Sequence, residues 1–118
     1  MMANNDTDEL WLAIVRMVPD FQSVVDALGS AFLEQSRYLT VAALYDLAIE
    51  AFSEGRTDIL RAIFSCVEWG LSPEHADLHD AFSIDFIEAL LLQRQHAHFE
   101  TFRRMLGPRA CVDFESKE

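Results

Sequence analysis

Residues 40–70 read TVAALYDLAIEAFSEGRTDILRAIFSCVEWG, and this stretch decides the fold. Leu44, Leu47, Ala48, Ala51 and Phe52 recur at three- and four-residue spacing, the period of a helix with one buried stripe. Thr40 offers an N-cap oxygen for that helix, and Gly55 suits the left-handed position just past its end. Thr57 and Asp58 then open a second helix carrying Ile59, Leu60, Ile63, Phe64 and Val67, with Gly70 as its expected terminator. A turn this short between two helices predicts an antiparallel hairpin.

Helical periodicity continues on both sides. Asp6, Thr7 and Asp8 supply capping oxygens before Leu10, Trp11, Ile14, Val15 and Val18, and Pro19 ends or kinks that helix. A second helix is expected from about Asp20 to Leu33, with Phe21, Val24, Val25, Leu28, Phe32 and Leu33 on one stripe. Gly29 inside it costs about 1 kcal/mol against Ala, which points to close helix contact.

Downstream, Ser72-Pro73-Glu74 is a helix start, and the pattern stays helical to Gln93 with a break near Asp80. Phe82 to Leu92 is apolar on nearly every face, as in a central buried helix. A last helix is expected from about Gln95 to Leu106, stopped by Gly107-Pro108. A short tail, 109–118, would dock through Cys111, Val112 and Phe114. The expected architecture is all-α: one compact domain over 1–118, of five to seven helices in antiparallel hairpins, forming a bundle or a short solenoid-like stack. Residues 1–6 are expected to be a flexible start.

Composition narrows the function. The chain has 118 residues, 51% of them hydrophobic, enough for a real core and against a disordered chain. No run of about 18 apolar residues occurs, which speaks against a membrane span. The start lacks the basic and apolar regions of a signal peptide, so a cytoplasmic protein is expected. The formal net charge is −11, from 20 acids and 9 bases. Such a surface repels phosphate backbones and attracts basic proteins, so a nucleic-acid partner is not expected.

Motifs for catalysis are missing: there is no Gly-rich phosphate loop, no Gly-x-Ser-x-Gly and no His-Glu-x-x-His. His75 and His79 stand four apart and could share an ion, with Glu74, Asp77 and Asp80 nearby, but the spacing equally suits a hydrated face. His96 and His98, two apart, would face different sides of a helix. Cys66, flanked in helical register by Ala62, Ile63, Trp69 and Gly70, reads as a structural thiol. No catalytic residue, metal or cofactor is expected. Glu68 and Glu88 each sit inside an apolar helix and would need a partner, for which Arg61 and Arg94 are candidates. They are structural braces or functional acids.

Charge distribution is more telling. Tyr38 to Gln93 holds ten acids against two bases, a net of −8, while five of the nine bases lie from Arg94 onward. Asp46, Glu50 and Glu54 fall four apart and stack as one stripe, where like charges cost a few tenths of a kcal/mol per pair. With Asp58, Glu74, Asp77, Asp80 and Asp85 they form the candidate binding surface, against the alternative of an ordinary solvated face. Tyr45, Phe52 and Trp69 are either aromatic anchors at that surface or core residues.

Leu44–Phe52, Gly55-Arg56-Thr57-Asp58, Ile63-Phe64-Ser65-Cys66-Val67-Glu68-Trp69 and Ile84-Asp85-Phe86-Ile87-Glu88-Ala89-Leu90 resemble small helical bacterial immunity proteins. These are encoded beside polymorphic toxins, including those of contact-dependent growth inhibition. In them a Gly-containing turn leads into an apolar helix with a Glu near its end, and a second apolar helix carries its own Glu. The resemblance, over about residues 40–92, implies a non-catalytic cytoplasmic protein that binds and blocks a cognate toxin domain, often a basic nuclease. The contact list itself rests on local charge. The alternative expectation is a helical adaptor or regulatory subunit that takes a partner in an apolar groove.

Overall fold

The computed structural model describes residues 6–118, with side chains from Leu10 onward. The expected flexible start falls outside the described residues except for Asp6, and so do the side chains of the proposed caps Asp6, Thr7 and Asp8. The elements are α1 (Asp6–Met17), α2 (Phe21–Leu28), α3 (Ser30–Leu33), α4 (Arg37–Ser53) and α5 (Thr57–Gly70). After a 3₁₀ turn, Pro73–His75, come α6 (His79–Phe82), a π-helical segment (Ser83–Glu88), α7 (Ala89–Leu91), α8 (Phe99–Met105) and α9 (Pro108–Lys117). No strand is present among the described residues, and none of their helices is long and apolar enough to cross a membrane.

The central element is α4. Thr40, Val41, Ala43, Leu44, Tyr45, Leu47, Ala48 and Ala51 are all buried on it, because α1, α2 and α3 pack on one side and α5, α6 and the π segment on the other. The Cα radius of gyration is 13.6 Å, against about 13.5 Å for a compact domain of this length. A bundle rather than an extended stack is therefore the architecture.

Aromatic rings tie the hairpins together. Tyr45 meets Phe86 edge-on at 5.1 Å between centroids, Phe64 meets Phe86 at 5.4 Å, and Phe64 meets Phe102 at 5.3 Å. Each such pair adds about 0.5–1.5 kcal/mol beyond its area burial. Cys66 is fully buried, and burial pushes its thiol up to about 12, as a structural cysteine requires. Phe52 and Trp69 are half-buried against the core and Tyr45 is buried, so Tyr45 is no surface anchor.

The Gly55 turn is as expected. Its φ is +71°, Arg56 N–H donates to the Ala51 carbonyl at 2.8 Å, and Gly55 N–H donates to that of Phe52 at 3.1 Å. These two bonds define a Schellman end.

Several boundaries differ from the sequence expectation. Gly29 does not lie inside a helix: at φ +92° and ψ 134° it breaks the segment into α2 and α3, and a Cβ there would touch nothing within 4 Å. Its role is the backbone conformation, not close contact. α4 is capped by Ser36, whose Oγ accepts from Tyr38 N–H, whereas Thr40 is buried and donates to the Leu33 carbonyl at 3.0 Å. Gly70 is no left-handed terminator; a Cβ on it would lie 2.3 Å from the Phe82 ring, so its bareness admits that ring. Ser72-Pro73-Glu74 opens only a 3₁₀ turn, and the break falls just before His79. The Phe82–Leu92 stretch is not buried all round, since Ile84 is 44% and Leu92 78% exposed. The last expected helix starts at Phe99 rather than Gln95, and the tail is a helix, α9, burying Ala110 and Phe114 while Val112 faces out.

Gly70→Ala should destabilise the protein by about 1–3 kcal/mol, because the fully buried Phe82 ring has nowhere to move. A urea midpoint equal to wild type would refute the packing role, and Phe82→Leu in the same chain should recover part of the loss.

Candidate functional site

Asp46 and Glu50 stand exposed on α4 at the rim of a hollow between α2 and α4. The hollow is about 290 Å³ and is lined also by Ser23, Val24, Ala27, Leu28, Ala43 and Leu47. Arg56, just past the end of α4, approaches Asp20 at the start of α2 to 3.9 Å, so the two helices run antiparallel. Partial burial raises the Asp46 carboxyl above the usual carboxylate range. Asp46 and Glu50 lie in the C-terminal half of α4 and Glu54 at its C-cap, toward the negative end of the helix dipole.

The eight candidate acids do not form one cluster. Glu54 follows Ser53 at the C-cap, and Asp58 on α5 lies 3.8 Å from Arg56. Asp77 sits at the opposite end of α4, where its carbonyl accepts from the Arg37 guanidinium. With about 1.5 Å of rise per residue, those two ends are roughly 25 Å apart. Glu74 edges a different hollow, between α1 and the Trp69–His75 pair, and Asp80 is exposed beside His79 at 3.7 Å. Asp85 lies on the π segment, its carboxyl raised by burial and then by the charge of Glu88. The coherent part of the expected surface is therefore Asp46 and Glu50, continued by Glu54. Asp20, beside the start of α2, was not among the expected residues; its approach to Arg56 is visible only once α2 lies against α4.

Glu68 and Glu88 separate. Glu68 is half-buried and accepts from the backbone N–H groups of Arg109 at 3.1 Å and Ala110 at 2.7 Å, with the Arg109 guanidinium at 3.9 Å. It caps α9, so Arg61 is not its partner. Gly107 makes the approach feasible, since a Cβ there would lie 2.5 Å from the Glu68 side chain. Glu88 is exposed and needs no brace; Arg94 pairs instead with Glu118 at 3.6 Å.

The histidines also rearrange. His75 and His79 lie on different elements. His75 Nδ1 is 3.0 Å from the Trp69 carbonyl, whereas His79 Nε2 is 4.0 Å from Asp113. Ser83 donates to Asp113 at 2.8 Å. The carboxylate thus sits between serine and histidine, an order in which no imidazole can take the hydroxyl proton. Among the described residues, no group of three or more His, Cys, Asp or Glu could hold a metal. His96 and His98 do not diverge: off any helix, their rings lie 5.7 Å apart. His98 is buried, its Nε2 2.7 Å from Gln93 Oε1 and 3.1 Å from the Tyr45 hydroxyl, which donates to the same Gln93 oxygen at 2.6 Å.

A family described as a domain of unknown function, DUF7674, matches residues 12–111. The chain belongs to the DUF7674 family. The match takes in both walls of the α2–α4 hollow, the aromatic cluster and the first residues of α9. No curated protein and no solved structure matches the chain.

Glu68→Ala should cost about 1–2 kcal/mol, the range of a lost helix cap. Hydrogen exchange at Arg109 and Ala110 should speed up while the α4 amides stay protected; equal protection of α9 in both proteins would contradict the capping role. Burial, then the neighbouring His96, lower the proton affinity of His98 below the ordinary value of 6.5. The unfolded chain thus binds the proton first, and stability present above pH 6.5 should be lost as pH falls toward the depressed folded value. A His98→Asn variant should flatten that part of the melting-temperature profile; an unchanged acid slope would remove His98 as its cause.

Proposed function

We propose that this protein binds and neutralises a basic protein, a toxin domain of nuclease type, through the acidic α2–α4 face. The observation that carries the reading is the placement of Asp46 and Glu50, one turn apart and exposed on the rim of an apolar hollow. Their nearest cation among the described residues of the adjoining turn, Arg56, already faces Asp20 and Asp58. Acids at the C-terminal half of a helix oppose its dipole and one another, each at a cost of some tenths of a kcal/mol. A cationic partner removes both penalties on docking.

A nuclease holds phosphates with lysine and arginine, so an acidic face complements its groove and draws it in at long range. Inhibition follows from occupancy: the acids stand where phosphates would, and nothing catalytic is asked of the chain. The resemblance of the α4–α5 hairpin and the Ile84–Leu90 segment to immunity proteins of toxin systems supports the same reading. The adaptor reading is favoured by Leu28, which is 46% exposed at the hollow. The two readings differ in salt response, since apolar docking is nearly insensitive to ionic strength while steering between charges is screened.

The test is co-expression with the protein encoded by the neighbouring gene. Rescue of growth and inhibition of the purified toxin domain are expected. Asp46→Lys with Glu50→Lys should slow association at least tenfold, with little effect on dissociation and with a melting temperature equal to or slightly above wild type, since the reversal also relieves the dipole and like-charge penalties. Association rates that ignore both the charge reversal and a salt series would sink the electrostatic reading.

A further inference from the structure

Resting on the reading of the α2–α4 face as the surface for a basic partner, we propose that the element it receives is an amphipathic basic helix laid along the hollow. Leu39, Ala43, Asp46, Leu47 and Glu50 fall within about 100° of the circumference of α4. That face is apolar toward its start and acidic toward its end. Leu28 at the hollow is 46% exposed and Leu39, one turn before Ala43 on α4, 36%, while Ala43 and Leu47 are buried and form its floor. Ala27 on α2 and Ala43 on α4 carry only methyl groups, which leaves the 290 Å³ between the helices.

The dimensions suit a helix better than an extended strand. The α4 side of the hollow, Ala43 to Glu50, runs about 10 Å, two turns of a partner helix. Residues four apart on both helices advance by about 6 Å, so apolar side chains at one-turn spacing on the partner meet the openings beside Ala43 and Leu47 in register. Lysine or arginine at the same spacing on its flank then faces Asp46 and Glu50. An extended peptide would repeat its side chains at about twice 3.3 Å on alternate faces, and the hollow has no free strand edge to pair with it. Contact of this kind is the helix-in-groove mode, with two anchors and a charged flank.

The experiment titrates the full chain, labelled with nitrogen-15, with an 18-residue helical peptide of leucine and lysine. Its leucines lie on one face and its lysines on the flanks. A scrambled peptide of the same composition and a polylysine of equal charge are the comparisons. Saturable shifts confined to residues 23–28 and 39–50, with binding at least tenfold weaker for both comparison peptides, are expected. Ala27→Lys, at an exposed position that leaves the fold intact, should weaken binding at least tenfold by filling the hollow with a like charge, and Asp46→Asn with Glu50→Gln should do so several-fold. Shifts elsewhere, equal binding of polylysine, or an Ala27→Lys variant that binds as wild type would overturn the inference. If the neighbouring toxin is neutralised equally by Ala27→Lys and wild type, the immunity reading stands and the helix-in-groove inference falls. If the helical peptide binds as expected and no toxin is neutralised, the reverse holds.

Discussion

Everything in this domain depends on burying the inner faces of α4, and the contact that makes this work is the edge-to-face packing of Tyr45, Phe64, Phe86 and Phe102. Those four rings come from α4, α5, the π segment and α8, so one aromatic cluster holds both hairpins. Edge-on contact lets large rings pack at a small interhelical distance, because the positive edge of one meets the negative face of the next. The π turn belongs to the same solution. By taking an extra residue per turn, Ser83–Glu88 brings Ser83, Phe86 and Ile87 inward together, while Ile84 and Glu88 turn out.

A polar fringe completes the cluster. The Tyr45 ring belongs to the core and its hydroxyl does not, and burial raises its proton affinity further. Gln93 and His98 absorb that hydroxyl, which also anchors the turn between α7 and α8 where no helix satisfies the backbone. No buried side-chain nitrogen or oxygen among the described residues is left without a partner. The turn that leads into α8 is thus held by the one ring of the Tyr45, Phe64, Phe86 and Phe102 cluster that carries a hydroxyl.

The all-helical class and the α4–α5 hairpin were legible because period and punctuation agreed. The Leu44–Phe52 stripe, Gly55 and Thr57-Asp58 each pointed to the same boundary. Legibility failed where one residue type serves two physical ends. Glycine signals a left-handed turn at Gly29 and Gly55 but admits a neighbouring ring at Gly70 and a carboxylate at Gly107. Gly107-Pro108 looked like a stop, yet Pro at the first helical position is equally a start, and only the tertiary approach of Glu68 distinguishes the two. For the site, one-turn spacing put Asp46, Glu50 and Glu54 on a common face correctly. It could not separate them from Asp77, because a count of charges along the chain carries no information about which end of α4 a loop returns to.

The placement of the acids on α4 works against the stability of the helix that carries them. A helix built for stability carries cations in its last turns, and the C-terminal half of α4 carries two acids and no base, with a third acid, Glu54, at its C-cap. The raised Asp46 carboxyl expresses the same tension locally, since partial burial beside the α2–α4 hollow disfavours its charge. The buried aromatic cluster offsets these tenths of a kcal/mol easily, which is why the fold can hold an electrostatically unfavourable face. Bringing lysine or arginine to that face would lower the Asp46 carboxyl back toward the usual range and cancel the dipole penalty at once. On the proposed reading, the free energy withheld from folding would be returned on docking, and a cationic partner is the class that would relieve the strain of this face.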